Sequence, residues 1–155
     1  MDIQIQNDQE NHAVDTANLK KQVKIILQAL ECHDDELSIL IVDDAKIRQL
    51  NHQYRNIDSA TDVLSFPQNE GEDAEFISQM LGDVVISVET AHRQAMEHQF
   101  SLEQELVLLL IHGTLHLLGY DHERSLEEEK IMKQKTWELF GIIFPGKVPS
   151  DSCEY

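Results

Sequence analysis

Residues 101–119 read SLEQELVLLLIHGTLHLLG, and this stretch decides the fold. Ser101 and Gln104 stand at the spacing of a capping box, in which two side chains satisfy backbone N–H groups that the first helical turn leaves open. Gly119 is a natural C-terminal breaker, because it adopts a left-handed conformation without a Cβ penalty. Between these signals the helix is apolar nearly all round. Such a helix has no face suited to water, so it is expected at the buried centre of the domain.

The flanking segments are expected to pack around it. Residues 2–6 (DIQIQ) alternate polar and apolar, as a half-buried strand does. Asp15 or Thr16 can cap a helix running to about Glu31, with Leu19, Val23, Ile26, Leu27 and Leu30 on one face. The apolar run 37–42 (LSILIV) reads as a buried strand. Asp43 or Asp44 then opens a short helix carrying Ile47, Leu50 and Tyr54. Residues 61–66 (TDVLSF) read as an edge strand stopped by Pro67, since proline cannot donate to a ladder. A loop rich in Gly and acidic residues follows to about Gln79, then a strand over 81–87 (LGDVVIS) and a helix over roughly 88–98. Ser125 and Glu128 repeat the capping-box spacing and start a last helix, with Ile131, Met132, Lys135 and Leu139 near one face and Gly141 as its stop. The expected class is α/β: one domain over residues 1–144, with a small mixed four-stranded sheet and about five helices, then a flexible tail over 145–155.

A chain of 155 residues with 41% hydrophobic content is the size of one ordinary globular domain. Cys32 and Cys153 lie far apart without metal or redox spacing, which suggests a reducing compartment. The polar, acidic start MDIQIQNDQE lacks the basic and apolar regions of a secretory signal. The longest apolar run, Leu106–Ile111, is far too short for a membrane span. A cytoplasmic protein with no membrane partner is therefore expected. Twelve Lys and Arg stand against 29 Asp and Glu, a formal charge of −17. That field repels polyanions, so any nucleic-acid function needs a local basic patch, a metal or a partner. Lys20, Lys21 and Lys24 with Lys46, Arg48 and Arg55 would form such a patch if they shared one rim.

The chemistry lies in His112-Gly113-Thr114-Leu115-His116-Leu117-Leu118-Gly119-Tyr120-Asp121-His122. Histidines four apart on a helix project from one face, and both can reach one ion at Zn–N distances of about 2.0–2.1 Å. Gly119 turns the chain, and His122 follows as a third ligand. Three protein ligands leave a position for water, the arrangement of a catalytic zinc site. A lone histidine on a buried helix is more often a hydrogen-bonded core residue. Two at this spacing on an apolar helix each need a polar partner, which favours the metal. The other five histidines (12, 33, 52, 92 and 98) share no spacing and are expected at the surface. The pattern matches that of metzincin peptidases at all three histidines and the glycine, but Gly113 replaces the general-base glutamate.

This block resembles the signature of the YbeY family of bacterial endoribonucleases and rRNA maturation factors. Tyr54-Arg55 followed by Thr61-Asp62-Val63-Leu64-Ser65-Phe66-Pro67, and Leu81-Gly82-Asp83-Val84-Val85-Ile86, match the same family in order and spacing. The resemblance implies an α/β domain with one metal on the three histidines. It also implies cleavage of single-stranded RNA, maturation of the small-subunit rRNA 3′ end and a role in ribosome quality control. Its expected partners are rRNA and the small subunit or its assembly factors, with no DNA. Arg55 matches an arginine that the family places near the metal and uses in activity.

A three-histidine zinc site can lower the pKa of water to about 7 without a separate base, and the RNA 2′-OH is the alternative nucleophile. Nickel, copper or cobalt could take the same ligands. Arg55 would present a planar fork of donors to phosphate, although an isolated arginine here would more often make a surface or capping contact. Asp121 could orient an imidazole or stabilise the turn. Ser65 could turn its hydroxyl towards the site. Asp83, costly in an apolar strand unless paired, reads first as a structural anchor and second as a pocket residue. Two competing readings are a metallopeptidase or other metal hydrolase, opposed by Gly113, and a non-catalytic ribosome-assembly factor with a structural metal.

Overall fold

A computed structural model describes residues 2–32, 35–67, 80–120 and 125–147. Its elements run β1 (Asp2–Asn7), α1 (Thr16–Ala29), β2 (Glu36–Val42), α2 (Asp44–Arg55), β3 (Val63–Pro67), β4 (Met80–Ser87), α3 (Val88–His98), α4 (Leu102–Leu117) and α5 (Leu126–Ile143). Among the described residues the class is α/β, with five helices and one four-stranded mixed sheet. The sheet order is β1-β2-β4-β3; β1, β2 and β4 are parallel, and β3 runs antiparallel on β4 at the edge.

Strand alternation splits the core in two. Ile3, Leu37, Ile39, Ile41, Val84 and Ile86 face α1 and α4, and the larger cluster continues from these helices onto α5. Val42, Leu64 and Val85 face the other way and bury Ile47 of α2, with Leu40, Leu50 and Phe66 at the margin. Successive strand side chains point to opposite faces, so α2 and α4 sit on opposite sides of the sheet.

The expected caps are present. Asp15 accepts from the Asn18 N–H at 3.1 Å and Asp43 from the Lys46 N–H at 2.8 Å. Ser101 and Gln104 form the reciprocal capping box of α4, at 3.1 and 2.9 Å. Every residue of α4 from Glu105 to Leu115 is buried, which bears out its central place.

Three boundaries differ from expectation. Strand β3 runs Val63–Pro67, starting after Thr61 and taking in the proline as its last residue. Helix α1 ends at Ala29, short of Glu31. Gly141 does not stop α5, which continues to Ile143. A glycine inside a helix costs about 1 kcal/mol. Burying Leu139 and Phe140 in the turn just before it recovers about 1.5–3 kcal/mol each, and burial wins. Phe140 is further held between Phe100 and Phe144, with ring centroids 5.4 and 5.2 Å away. The buried face of α5 is Met132, Thr136, Leu139 and Phe140, whereas Ile131 is exposed and Lys135 half-buried. The expected loop over 68–79 lies outside the described residues, as does most of the expected tail, from residue 148 onward.

Candidate functional site

His112 and His116 lie one turn apart on α4, His112 only 6% exposed and His116 half-buried. Their Nε2 atoms converge to 3.0 Å, with the rings edge to face. Two imidazole nitrogens that close either share a proton or share a ligand. A single ion about 2.0–2.1 Å from each spans that gap, so the pair fits a metal of the kind that takes nitrogen donors. His122 and Asp121 lie outside the described residues, and among the described residues no third His, Cys, Asp or Glu joins the pair.

The backbone between the two histidines is fixed by packing. Helix α4 crosses β3 and β4 at Gly113, where an added Cβ would stand 2.8 Å from Val84 Cγ1 and 3.2 Å from Ser65 Oγ. Ser65 therefore does face this helix, and its hydroxyl donates to the Gly113 carbonyl at 3.0 Å. It fastens the sheet edge to the backbone that carries the histidines. The missing glutamate of the peptidase pattern now has a physical cause: a side chain at 113 would point into the sheet.

The helix ends as expected. Gly119 has φ +96°; its N–H donates to the His116 carbonyl at 3.0 Å and the Tyr120 N–H to the Leu115 carbonyl at 3.0 Å. This is a Schellman turn, and it satisfies the last carbonyls while redirecting the chain beside His116.

Arg55 is the last residue of α2, exposed, and among the described residues it makes no ion pair. Arg48 and Arg93, by contrast, are taken by Asp58 at 2.8 Å and Asp44 at 3.0 Å. Arg55 is on the α2 side of the sheet, while the histidines are on the α4 side. Both nonetheless lie near the end of β3: Tyr54 packs on Phe66, and Leu117 comes up against Gly82, the partner of Pro67. The basic residues do not share one rim. Lys20, Lys21 and Lys24 ride on α1 against one face of the sheet, and Lys46, Arg48 and Arg55 ride on α2 against the other.

Two further findings were not expected. His98 is buried, not at the surface, and its Nδ1 lies 3.1 and 3.0 Å from the two oxygens of Glu105, a residue with no exposed surface. Burial pushes the Glu105 carboxyl above its ordinary range, with His98 working against that shift. Asp62 is also raised by burial, although Gln94 and the Val63 N–H stabilise its charged form. His12 and His92 stack, with centroids 4.6 Å apart. The other feature is a cavity of about 400 Å³ on the α2 side of the sheet, where Asp83 is one of the lining residues.

A family model described as Endoribonuclease YbeY matches residues 4–142. The Endoribonuclease YbeY of Syntrophotalea carbinolica is 48% identical over 142 residues, covering 91% of this chain and 95% of that protein. That of Aquifex aeolicus is 50% identical over 117 residues, 75% of each chain. The solution structure of TM1509 from Thermotoga maritima superposes with a TM-score of 0.60 at 30% identity, covering 94% of this chain and 99% of that one.

Proposed function

The chain belongs to the YbeY endoribonuclease family, and from that premise we propose that it cuts single-stranded RNA using a divalent metal on His112, His116 and His122. Zinc is the first candidate, with nickel a second ion that the same donors accept. The observation that carries this reading is the convergence of the two Nε2 atoms to 3.0 Å on a buried helix. The substrate is rRNA, the task maturation of the small-subunit rRNA 3′ end, and the setting the bacterial cytoplasm. Among the described residues no helix is long and apolar enough to cross a membrane.

When bound, the ion supplies Lewis-acid polarisation of a phosphoryl oxygen and acidifies water. The rest is the work of the chain. His112 and His116 offer their ring nitrogens from a helix that packing holds rigid on both sides. Gly113 lets that helix sit against β3 and β4, which fixes the two imidazoles relative to the sheet edge. Arg55 presents planar donors to phosphate oxygens and offsets their charge, a bidentate grip that lysine does not reproduce. The −17 chain makes this local cation important, because the global field opposes RNA. Productive binding therefore depends on the small subunit or an assembly factor to bring the RNA close. A metallopeptidase is disfavoured, since position 113 has no volume for the carboxylate that such chemistry needs.

The test is cleavage of a labelled single-stranded RNA spanning the small-subunit rRNA 3′ end, with metal content measured on the same preparations. Wild type should cleave; His116→Ala and chelated wild type should not, and the variant should lose its metal. Metal retained by His116→Ala, or equal cleavage by both proteins, would remove the histidines from the chemistry. Metal loss without any wild-type cleavage, even with ribosomes present, would favour the structural-metal assembly factor.

A further inference from the structure

The two faces of the sheet are covered unequally. On the α2 side, the register aligns Gln4, Ser38, Asp83 and Phe66 in one row across all four strands. Helix α2 covers the neighbouring apolar row, and Ser38, Asp83 and Phe66 of this one line, together with Gln6, a cavity of about 400 Å³ that Tyr54 closes at one side. Tyr54 is 62% exposed, and its ring stands edge-on to Phe66 with centroids 5.3 Å apart. The cavity thus has an aromatic wall at one end and hydroxyl, amide and carboxylate groups along its floor.

We propose that this cavity is a subsite for one unpaired nucleobase of the RNA strand, with guanine preferred. The inference rests on the endoribonuclease reading given above. Open sheet faces that carry aromatic side chains stack single-stranded bases, and any base offers a π-face to such a ring. The size suits a small planar ligand. Charge chooses which part of a nucleotide enters: the Asp83 carboxylate repels phosphate and admits an uncharged base. A carboxylate only accepts hydrogen bonds, and guanine presents adjacent N1–H and N2–H donors on one edge. Ser38 and Gln6, which both donate and accept, can meet its remaining acceptors. Position supports the same assignment. Tyr54 precedes Arg55, and both lie near the end of β3 where α4 carries His116 on the opposite face. A strand held at the histidines crosses one sheet edge to reach the cavity.

The test uses the full-length chain in a His116→Ala background, so that RNA stays intact and binding is read apart from cleavage. The probes are oligouridylates carrying a single guanosine, inosine or adenosine, and a 6-thioguanosine version for photo-crosslinking. Guanosine should bind tightest, and its crosslink should map to peptides holding Gln6, Ser38, Tyr54 or Phe66. Tyr54→Ala should weaken the guanosine probe roughly five- to hundredfold, the span expected for one stacked base. Tyr54→Phe should keep the affinity, because the ring and not the hydroxyl stacks. A crosslink elsewhere, equal affinity for all probes, or an unchanged Tyr54→Ala overturns the subsite. If Tyr54→Ala binds RNA normally yet loses ribosome association, the surface belongs to a protein partner instead. Failure of wild-type cleavage with the crosslink in place would sink the nuclease reading while the base subsite stands.

Discussion

A single missing Cβ sets the site. At Gly113 an alanine methyl would gain helix propensity of about 1 kcal/mol. It would also press a buried, β-branched Val84 at 2.8 Å and crowd the Ser65 hydroxyl. Overpacking of that kind costs about 1–3 kcal/mol, and the strand cannot step aside as a surface side chain can. Gly113→Ala is therefore expected to lower stability by about 1 kcal/mol net and to reduce metal affinity, because α4 must lift from the sheet. Urea unfolding and metal titration of the variant check both; a stabilised protein with full affinity would contradict the packing argument. The histidine pair was legible in the sequence because helical spacing alone puts positions four apart on one face. The His98–Glu105 contact was not. It joins the end of α3 to the first turn of α4 across a sharp turn in which Gln99 takes a left-handed φ of 60°. Neither helix's periodicity encodes that approach.

At the level of the element, α4 is apolar enough to be drawn into the core in any register, so its ends must fix which residues face the sheet edge. The capping box at Ser101 and the Schellman turn at Gly119 do this, and both could be read from residue type. Ser101→Ala removes the acceptor for the Gln104 N–H and should cost about 1 kcal/mol, seen as a lower urea midpoint with unchanged slope. No change in midpoint would mean that burial alone sets the start of the helix. The end of α5 could not be read in the same way. Gly141 signals a stop, but the signal is local, and the Phe100 ring that stacks on Phe140 comes from a distant part of the chain.

For the molecule as a whole, pH and topology matter most. Burial raises the carboxyls of Glu105 and Asp62 above their ordinary values, so each holds its proton more firmly folded than unfolded. Their contribution to stability is fully present below the ordinary carboxylate pKa of about 4 and is lost as pH rises through the folded value. Asp44 has the opposite sign. Burial pushes it up, but hydrogen bonds from Ser87, Thr90 and Arg93 overcome that and hold it low, so its contribution fades as pH falls through its depressed value. Glu105→Gln should therefore flatten the loss of stability between mildly acidic and neutral pH, measured by urea unfolding across that range. An unaltered pH profile would remove Glu105 from the account. The sheet class was legible from strand periodicity, whereas the placement of β4 between β2 and β3 was not, because strand order depends on contacts that no single segment encodes. That placement carries a consequence for synthesis. The chain emerges from the ribosome with β3 before β4, yet among the described strands β3 pairs with β4 and with no other. Until residue 87 is clear of the exit tunnel, β2 has one open edge and β3 has no neighbour. The nascent chain therefore passes more than half its length with an unfinished sheet, exposed to chaperones and to its own copies, and completes it only when β4 arrives.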